Sequence, residues 1–263
     1  MIRAIFFTVA FLALQLITGG VVTFAVGYLR GRGADVSLGL QLLLSTSLSS
    51  LVTIALFLWL KWSSVSRQYF LSRPWAVLCW SVVASLGTIL PSLLLQELMP
   101  PLPEWWQQLV DESERQMTEL MNMRGGYFLI AMLVPLAEEV VFRGAILRAL
   151  LQLPHNRWLM IALSALLFAL AHGNPAQMPH AFLVGLLLGW LYARTGSILP
   201  GLAFHWTNNT VAYFLSKLYP DPNIELSDVL GHSPRAIVMA VVFSLFILLP
   251  ALYQLHLRTR RGA

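Results

Sequence analysis

LAEEVVFRG, residues 136–144, places two adjacent glutamates and an arginine inside a segment that is otherwise apolar enough to cross a membrane. A charged side chain near the centre of a bilayer costs about 2.5–3.5 kcal/mol on insertion scales. Three such residues within six positions therefore need a structural or a chemical reason. From residue 127 to residue 153 the charged side chains are those of Glu138, Glu139, Arg143 and Arg148.

Helix geometry separates the roles of these residues. Glu139 and Arg143 are four positions apart, so they share a helix face and are predicted to form an ion pair that supports the architecture. Glu138 is rotated by about 100° from Glu139 and has no partner on its own helix. Glu138 is therefore the candidate for chemistry.

The composition indicates a polytopic membrane protein. Hydrophobic residues make up 57% of the 263-residue chain and charged residues 11%, whereas soluble domains contain about 25% charged residues. The net charge of +5 does not indicate nucleic-acid binding, because the basic residues lie mainly at helix ends. The single cysteine, Cys79, allows no intramolecular disulfide. The first apolar run, residues 4–28, is longer than the core of a secretory signal peptide, so we expect it to be a span.

We predict an all-α transmembrane bundle of about eight spans. Their expected ranges are 4–28, 36–60, 75–98, 126–151, 158–171, 178–193, 198–218 and 236–256. The third span is expected to kink at Pro91, and Gly185 and Gly189 are expected to permit close packing of the sixth. Between the third and fourth spans, the acidic, tryptophan-containing segment 101–124 suits an amphipathic helix at the membrane interface, or equally a solvated connector.

The polar residues within the predicted spans are concentrated in the second half of the chain, so we expect four regions. They are a scaffold of three spans (1–100), an extracytoplasmic polar segment (101–125), a catalytic core of four spans (126–218), and a last region with a loop, a span and a basic tail (219–263). With eight spans and both termini in the cytoplasm, ten of the 17 Lys and Arg residues lie on the cytoplasmic side and six outside, with Arg143 within the membrane. This excess predicts cytoplasmic termini.

Four polar side chains on three predicted helices can reach a similar depth: Glu138, His172, His205 and Asn209. Asn209 follows His205 by four positions and shares its face, and Phe168 stands in the same relation to His172. Each residue alone is commonly structural. Together, unpaired polar groups in three spans would be costly without a shared purpose, which predicts a common site.

These residues also carry a family resemblance. Glu138-Glu139-xx-Phe-Arg143-Gly, Phe168-xxx-His172-Gly and His205-xxx-Asn209 resemble, in order, the three motifs of the CPBP family of CAAX-processing and bacteriocin-processing intramembrane proteases, also called Abi. The resemblance covers residues 128–213. It implies peptide-bond hydrolysis in which Glu138 and His172 activate water, His205 and Asn209 stabilise the oxyanion, and Glu139 and Arg143 hold the architecture.

The resemblance leaves the cofactor and the substrate open. Zinc bound by His172, His205 and Glu138 is one alternative, but it would make Glu139 the base despite its pairing with Arg143, so we favour a metal-free glutamate mechanism. The implied partner is a peptide or protein, either lipidated and membrane-associated or bacteriocin-like, together with the lipid bilayer. The competing hypothesis is a non-enzymatic scaffold or transporter, although no internal repeat supports transport.

Overall fold

The computed structural model describes residues 1–65, 67–221 and 224–259, and in these ranges the chain is helical, without strands. The predicted all-α fold class is confirmed. The helices are α1 (Ile2–Gly31), α2 (Leu38–Trp59), α3 (Arg67–Leu71), α4 (Trp75–Leu86), α5 (Ile89–Glu97), α6 (Glu104–Asn122), α7 (126–150), α8 (Arg157–Ala171), α9 (Met178–Thr195), α10 (Leu199–Leu218), α11 (Leu226–Val229) and α12 (Pro234–Arg258). The end of the predicted basic tail, from residue 260 onward, lies outside the described residues.

The predicted number of eight spans is not confirmed. In the described ranges, four helical segments are long and apolar enough to cross a membrane: Ile2–Gly31, Leu38–Trp59, Trp75–Glu97 and Pro234–Arg258. The other predicted spans differ for physical reasons. Helix α8 is apolar but has 15 residues, whereas α7, α9 and α10 carry the charged, histidine and amide side chains that lower their hydropathy.

The third predicted span is broken where α4 passes into α5. The break falls at Gly87 and Thr88, one turn before Pro91. Pro91 has no N–H to donate to the carbonyl four residues earlier, and its ring crowds that carbonyl, so the helix yields there. A Cβ on Gly87 would lie 2.7 Å from the backbone nitrogen of Leu248, which shows that α12 packs directly on the break.

Segment 101–124 forms one amphipathic helix, α6, which buries Val110 and Leu120 and packs on α2. The hydroxyl of Tyr213 on α10 donates to the carbonyl of Met121 at 3.1 Å, which holds the end of α6 against the bundle. The predicted helix is confirmed, and its position at the membrane interface stays a prediction.

Helices α8 and α9 pack closely along the two predicted glycines. A Cβ on Gly185 would lie 2.9 Å from the Cβ of Ala165, and one on Gly189 would lie 2.9 Å from Cγ2 of Ile161. The close packing predicted from this spacing is confirmed. The face of α8 that carries Phe168 packs against α7, where the Phe168 ring contacts that of Phe142.

Candidate active site

Helix α7, which carries the two glutamates, departs from α-helical geometry twice. Residues Leu129–Leu133 and Glu139–Leu147 form π-helical turns, with Val134–Glu138 as a regular α-helical piece between them. A π-turn pairs each N–H with the carbonyl five residues earlier and widens the helix, and such turns are frequent at functional sites. The change in geometry occurs between Glu138 and Glu139.

Side chains of neighbouring helices bind the backbone carbonyls of these π-turns. On α8, the hydroxyl of Ser164 donates to the carbonyl of Phe142 at 3.1 Å. On α10, Trp206 Nε1 donates to the carbonyl of Met132 at 2.9 Å, and Asn209 Nδ2 to that of Ile130 at 3.1 Å. Donors from other helices compensate for irregular backbone in an apolar setting. They fix where α7 widens.

Glu139 and Arg143 form the ion pair that their spacing predicts. Arg143 NH1 lies 2.9 Å from Glu139 Oε1, and the side chains are 1% and 0% exposed. The guanidinium also donates to the carbonyl of Gly185 at 3.4 Å and lies 4.3 Å from the ring centroid of Phe168. This arrangement ties α7 to α8 and α9 through one buried side chain.

His205 on α10 lies between the two glutamates. Its Nδ1 is 3.3 Å from Oε1 of Glu139, and its Nε2 is 3.5 Å from Oε2 of Glu138. The carboxylate of Glu139 accepts a hydrogen bond from Arg143. The same oxygen can also accept a hydrogen bond from Nδ1–H of His205. This contact fixes the ring and presents Nε2 to Glu138. The side chain of Glu138 is 17% exposed, unlike that of Glu139.

His172 ends α8, and Phe168 separates it from His205. His172 Nδ1 lies 2.9 Å from the carbonyl of Phe168, and the ring of Phe168 stands edge-to-face at 4.7 Å from His172 and 5.8 Å from His205. The ring of Phe168 therefore contacts both histidines. Among the described residues, no hydrogen bond joins His172 to Glu138, and the histidine in contact with Glu138 is His205.

Asn209 lies one turn after His205 and is partly buried. One amide N–H of Asn209 donates a hydrogen bond to the carbonyl of Ile130 on α7. Its second N–H and its side-chain carbonyl oxygen remain available to other partners. The structure therefore brings Glu138, His205 and Asn209 to the contact between α7 and α10, with His172 behind Phe168.

The predicted zinc alternative requires His172, His205 and Glu138 to share one ion. Within the described ranges, no group of three or more His, Cys, Asp or Glu side chains is placed to hold a metal ion. The two ring nitrogens of His205 face two different glutamates, and Nδ1 of His172 is turned to a backbone carbonyl.

A cavity of about 160 Å³ adjoins the site on its other side. Its lining combines Glu138, Val134 and Ala137 of α7 with residues of α1 and α2: Phe11, Gln15, Ser45, Thr46, Ser49 and Ser50. Because the polar residues within the spans were expected to lie mainly in the second half of the chain, these hydroxyl groups of α2 were overlooked. The run STSLSS, residues 45–50, was the available signal.

Sequence reasoning also missed three supporting residues. Ser164 and Trp206 have the hydrogen bonds to α7 described above. Gly201 leaves room for Glu139, because a Cβ there would lie 2.9 Å from Oε2 of that carboxylate. No motif of residue spacing signals these contacts, since they depend on how α8 and α10 dock against the π-turns.

Residues 122–211 match the family described as Rce1-like, Type II CAAX prenyl endopeptidase Rce1-like, which confirms the resemblance predicted from the three motifs. No curated protein and no solved structure is significantly similar to the chain. The apolar helices indicate an integral membrane protein, and residues 122–211 are similar to a protease family.

Proposed function

We propose that this protein, whose residues 122–211 match the Rce1-like family, is an intramembrane endopeptidase in which Glu138 activates water to hydrolyse a peptide bond. The observation that carries the proposal is the difference between two adjacent glutamates. Glu139 is fully buried and paired with Arg143, whereas Glu138 is partly exposed and lines the cavity. Of the two, Glu138 is the one that reaches a cavity with room for water.

His205 is proposed to move the proton that Glu138 removes from water. Glu139 accepts from Nδ1 of His205, so it orients the ring and stabilises the imidazolium, as the carboxylate of a catalytic triad does. Nε2 of His205 lies 3.5 Å from Oε2 of Glu138, so it can receive the proton from that carboxyl group. The protonated histidine then gives the proton to the leaving amine. Arg143 holds the Glu139 carboxylate in place through their ion pair.

His172 and Asn209 complete the proposed site. With Nδ1–H donating to the carbonyl of Phe168, Nε2 of His172 keeps its lone pair, and we propose that it assists Glu138 in activating water once substrate is bound. The remaining amide N–H of Asn209, with protonated His205, would stabilise the oxyanion. We expect His172→Ala and Asn209→Ala each to lower kcat by about 10²–10³. His155→Ala, in an exposed loop, serves as the control and should leave kcat unchanged.

The proposed substrate is a lipidated peptide with its cleavage site near the C-terminus, because the matched family is described as a CAAX prenyl endopeptidase. The test compares prenylated and unprenylated versions of one peptide in proteoliposomes, with the products identified by mass spectrometry. Cleavage of the prenylated peptide alone supports the proposal. Equal cleavage of both would favour bacteriocin-like or other short peptides. Failure of the wild-type protein to cleave either peptide would favour a non-enzymatic scaffold. The same conclusion would follow if a cellular phenotype persisted in both Glu138→Gln and His172→Ala.

Hydrolysis is proposed to proceed without a metal cofactor. We expect activity to survive incubation with a membrane-permeable zinc chelator followed by its removal. Loss of activity that added zinc restores would contradict the metal-free mechanism.

The chain is further proposed to cross the membrane eight times with both termini in the cytoplasm. Arg194 near the end of α9 donates to the carbonyl of His256 near the end of α12 at 2.9 Å, so these two helices end on the same side of the bundle. Reporter fusions after α12 and within α6 test the topology. The first should report the cytoplasm and the second the outside, and the reverse pattern would contradict it.

A further inference from the structure

We propose that the cavity between α1, α2 and α7 holds the water that Glu138 consumes, and that Ser49 and Ser50 position this water. The inference rests on the proposed hydrolytic function and adds a site for its second substrate. A hydrolase within lipid needs a polar route for water, since the hydrocarbon core contains almost none. The cavity joins Glu138 to a hydroxyl-bearing face of α2.

The hydroxyl groups of this face lack the backbone hydrogen bonds that several other helical hydroxyls form. The hydroxyls of Thr8, Thr18, Ser81, Thr195 and Thr207 donate to carbonyls three or four residues earlier in their own helices. Among the hydrogen bonds of the described residues, none involves the side-chain oxygens of Ser45, Thr46, Ser49 or Ser50.

Ser49 and Ser50 are 8% and 6% exposed, and both line the cavity. Buried hydroxyls without a protein partner are costly, and water is the usual partner in such places. The next residue along the face, Thr53, is fully buried and also has an unpartnered hydroxyl. The polar face therefore continues one turn beyond the cavity lining.

The size of the cavity favours water over a peptide side chain or backbone. Its volume of about 160 Å³ is below the range of about 300–1,000 Å³ that is typical of ligand pockets. It has room for several waters, each of which needs about 10–15 Å³ by the same kind of measure. The cavity lining includes none of His172, His205 and Asn209, so we place the peptide on the side of Glu138 that faces His205.

The first test measures water access without requiring catalysis. Two variants of the full-length protein, Ser49→Cys and Leu51→Cys, are made in a Cys79→Ser background. Each is treated in membranes with a small charged methanethiosulfonate reagent. A thiol reacts as its thiolate, which forms in water and not among lipid tails. Ser49 lines the cavity, whereas Leu51, two residues away at nearly the same depth, is 55% exposed on the outside of the helix. We expect at least tenfold faster labelling at position 49, and equal rates would overturn the proposal.

The second test separates water from peptide by kinetics. Ser49→Ala and Ser50→Ala are each expected to lower kcat about tenfold, the equivalent of one net hydrogen bond, and to leave KM unchanged. Ser47→Ala is the matched control on α2 outside the lining and should change neither constant. A raised KM with unchanged kcat would assign the cavity to the peptide and overturn the proposal. Failure of hydrolysis by wild type would refute the protease function, while the labelling result would still decide whether the cavity holds water.

Discussion

The buried ion pair between Glu139 and Arg143 permits a test with a large expected effect. Each side chain is at most 1% exposed, and the atoms are 2.9 Å apart. Glu139→Gln removes the negative charge but keeps the shape, so it leaves a guanidinium buried without a counter-ion. Removing one member of a buried pair costs about 3–5 kcal/mol. Arg143→Met should cost a similar amount, because it leaves the Glu139 carboxylate with His205 alone.

The double variant Glu139→Gln/Arg143→Met removes both charges and should be more stable than either single variant. Replacing a whole buried pair is often close to neutral, so the coupling between the two substitutions should be at least about 3 kcal/mol. The assay is equilibrium unfolding of the purified protein in mixed micelles, followed by tryptophan fluorescence. Glu138→Gln is the matched control on the neighbouring residue and should change the unfolding free energy by less than about 0.5 kcal/mol. Additive single effects, or single effects below about 1 kcal/mol, would refute the account of this pair.

Two further substitutions probe the support of α7. Ser164→Ala deprives the buried carbonyl of Phe142 of its donor and should cost about 1–3 kcal/mol in the same unfolding assay; no loss would show that the hydrogen bond does not support the π-turn. Gly201→Ala places a methyl group 2.9 Å from Oε2 of Glu139, so both kcat and stability should fall. Gly20→Ala in α1, where a Cβ meets nothing within 4 Å, should instead be neutral or stabilising by about 0.5–1 kcal/mol. Equal behaviour of the two alanine variants would contradict the packing at Gly201.

The sequence predicted the local relations of the site well, because they follow from helix periodicity. The four-residue spacing of Glu139 and Arg143 predicted their pair, and the spacing of Gly185 and Gly189 predicted the close contact of α8 and α9. The grouping of Glu138 with His205 followed from the cost of polar groups in lipid. Intramembrane helices confine such groups to protein interiors, so few arrangements remain.

Relations that depend on tertiary packing were beyond the sequence. The π-turns of α7 place Glu138 and Glu139 in different environments, but they depend on donors such as Ser164 and Trp206 on other helices. The hydroxyls of α2 were visible as a run of Ser and Thr, yet nothing in the run shows that it faces Glu138. The number of spans stays unconfirmed for a related reason, since polar residues lower the hydropathy of the helices that form the site.

The most direct test of the central claim is the rate of peptide cleavage by Glu138→Gln in proteoliposomes, measured at saturating prenylated substrate. Gln preserves the shape of the side chain but cannot take a proton from water, so kcat should fall by about 10²–10⁴, the usual contribution of a general base. The fold and the unfolding free energy should be unchanged, because the Glu138 side chain is partly exposed and its contact with His205 is long, at 3.5 Å. A Glu138→Gln variant that cleaves at the wild-type rate would contradict the account.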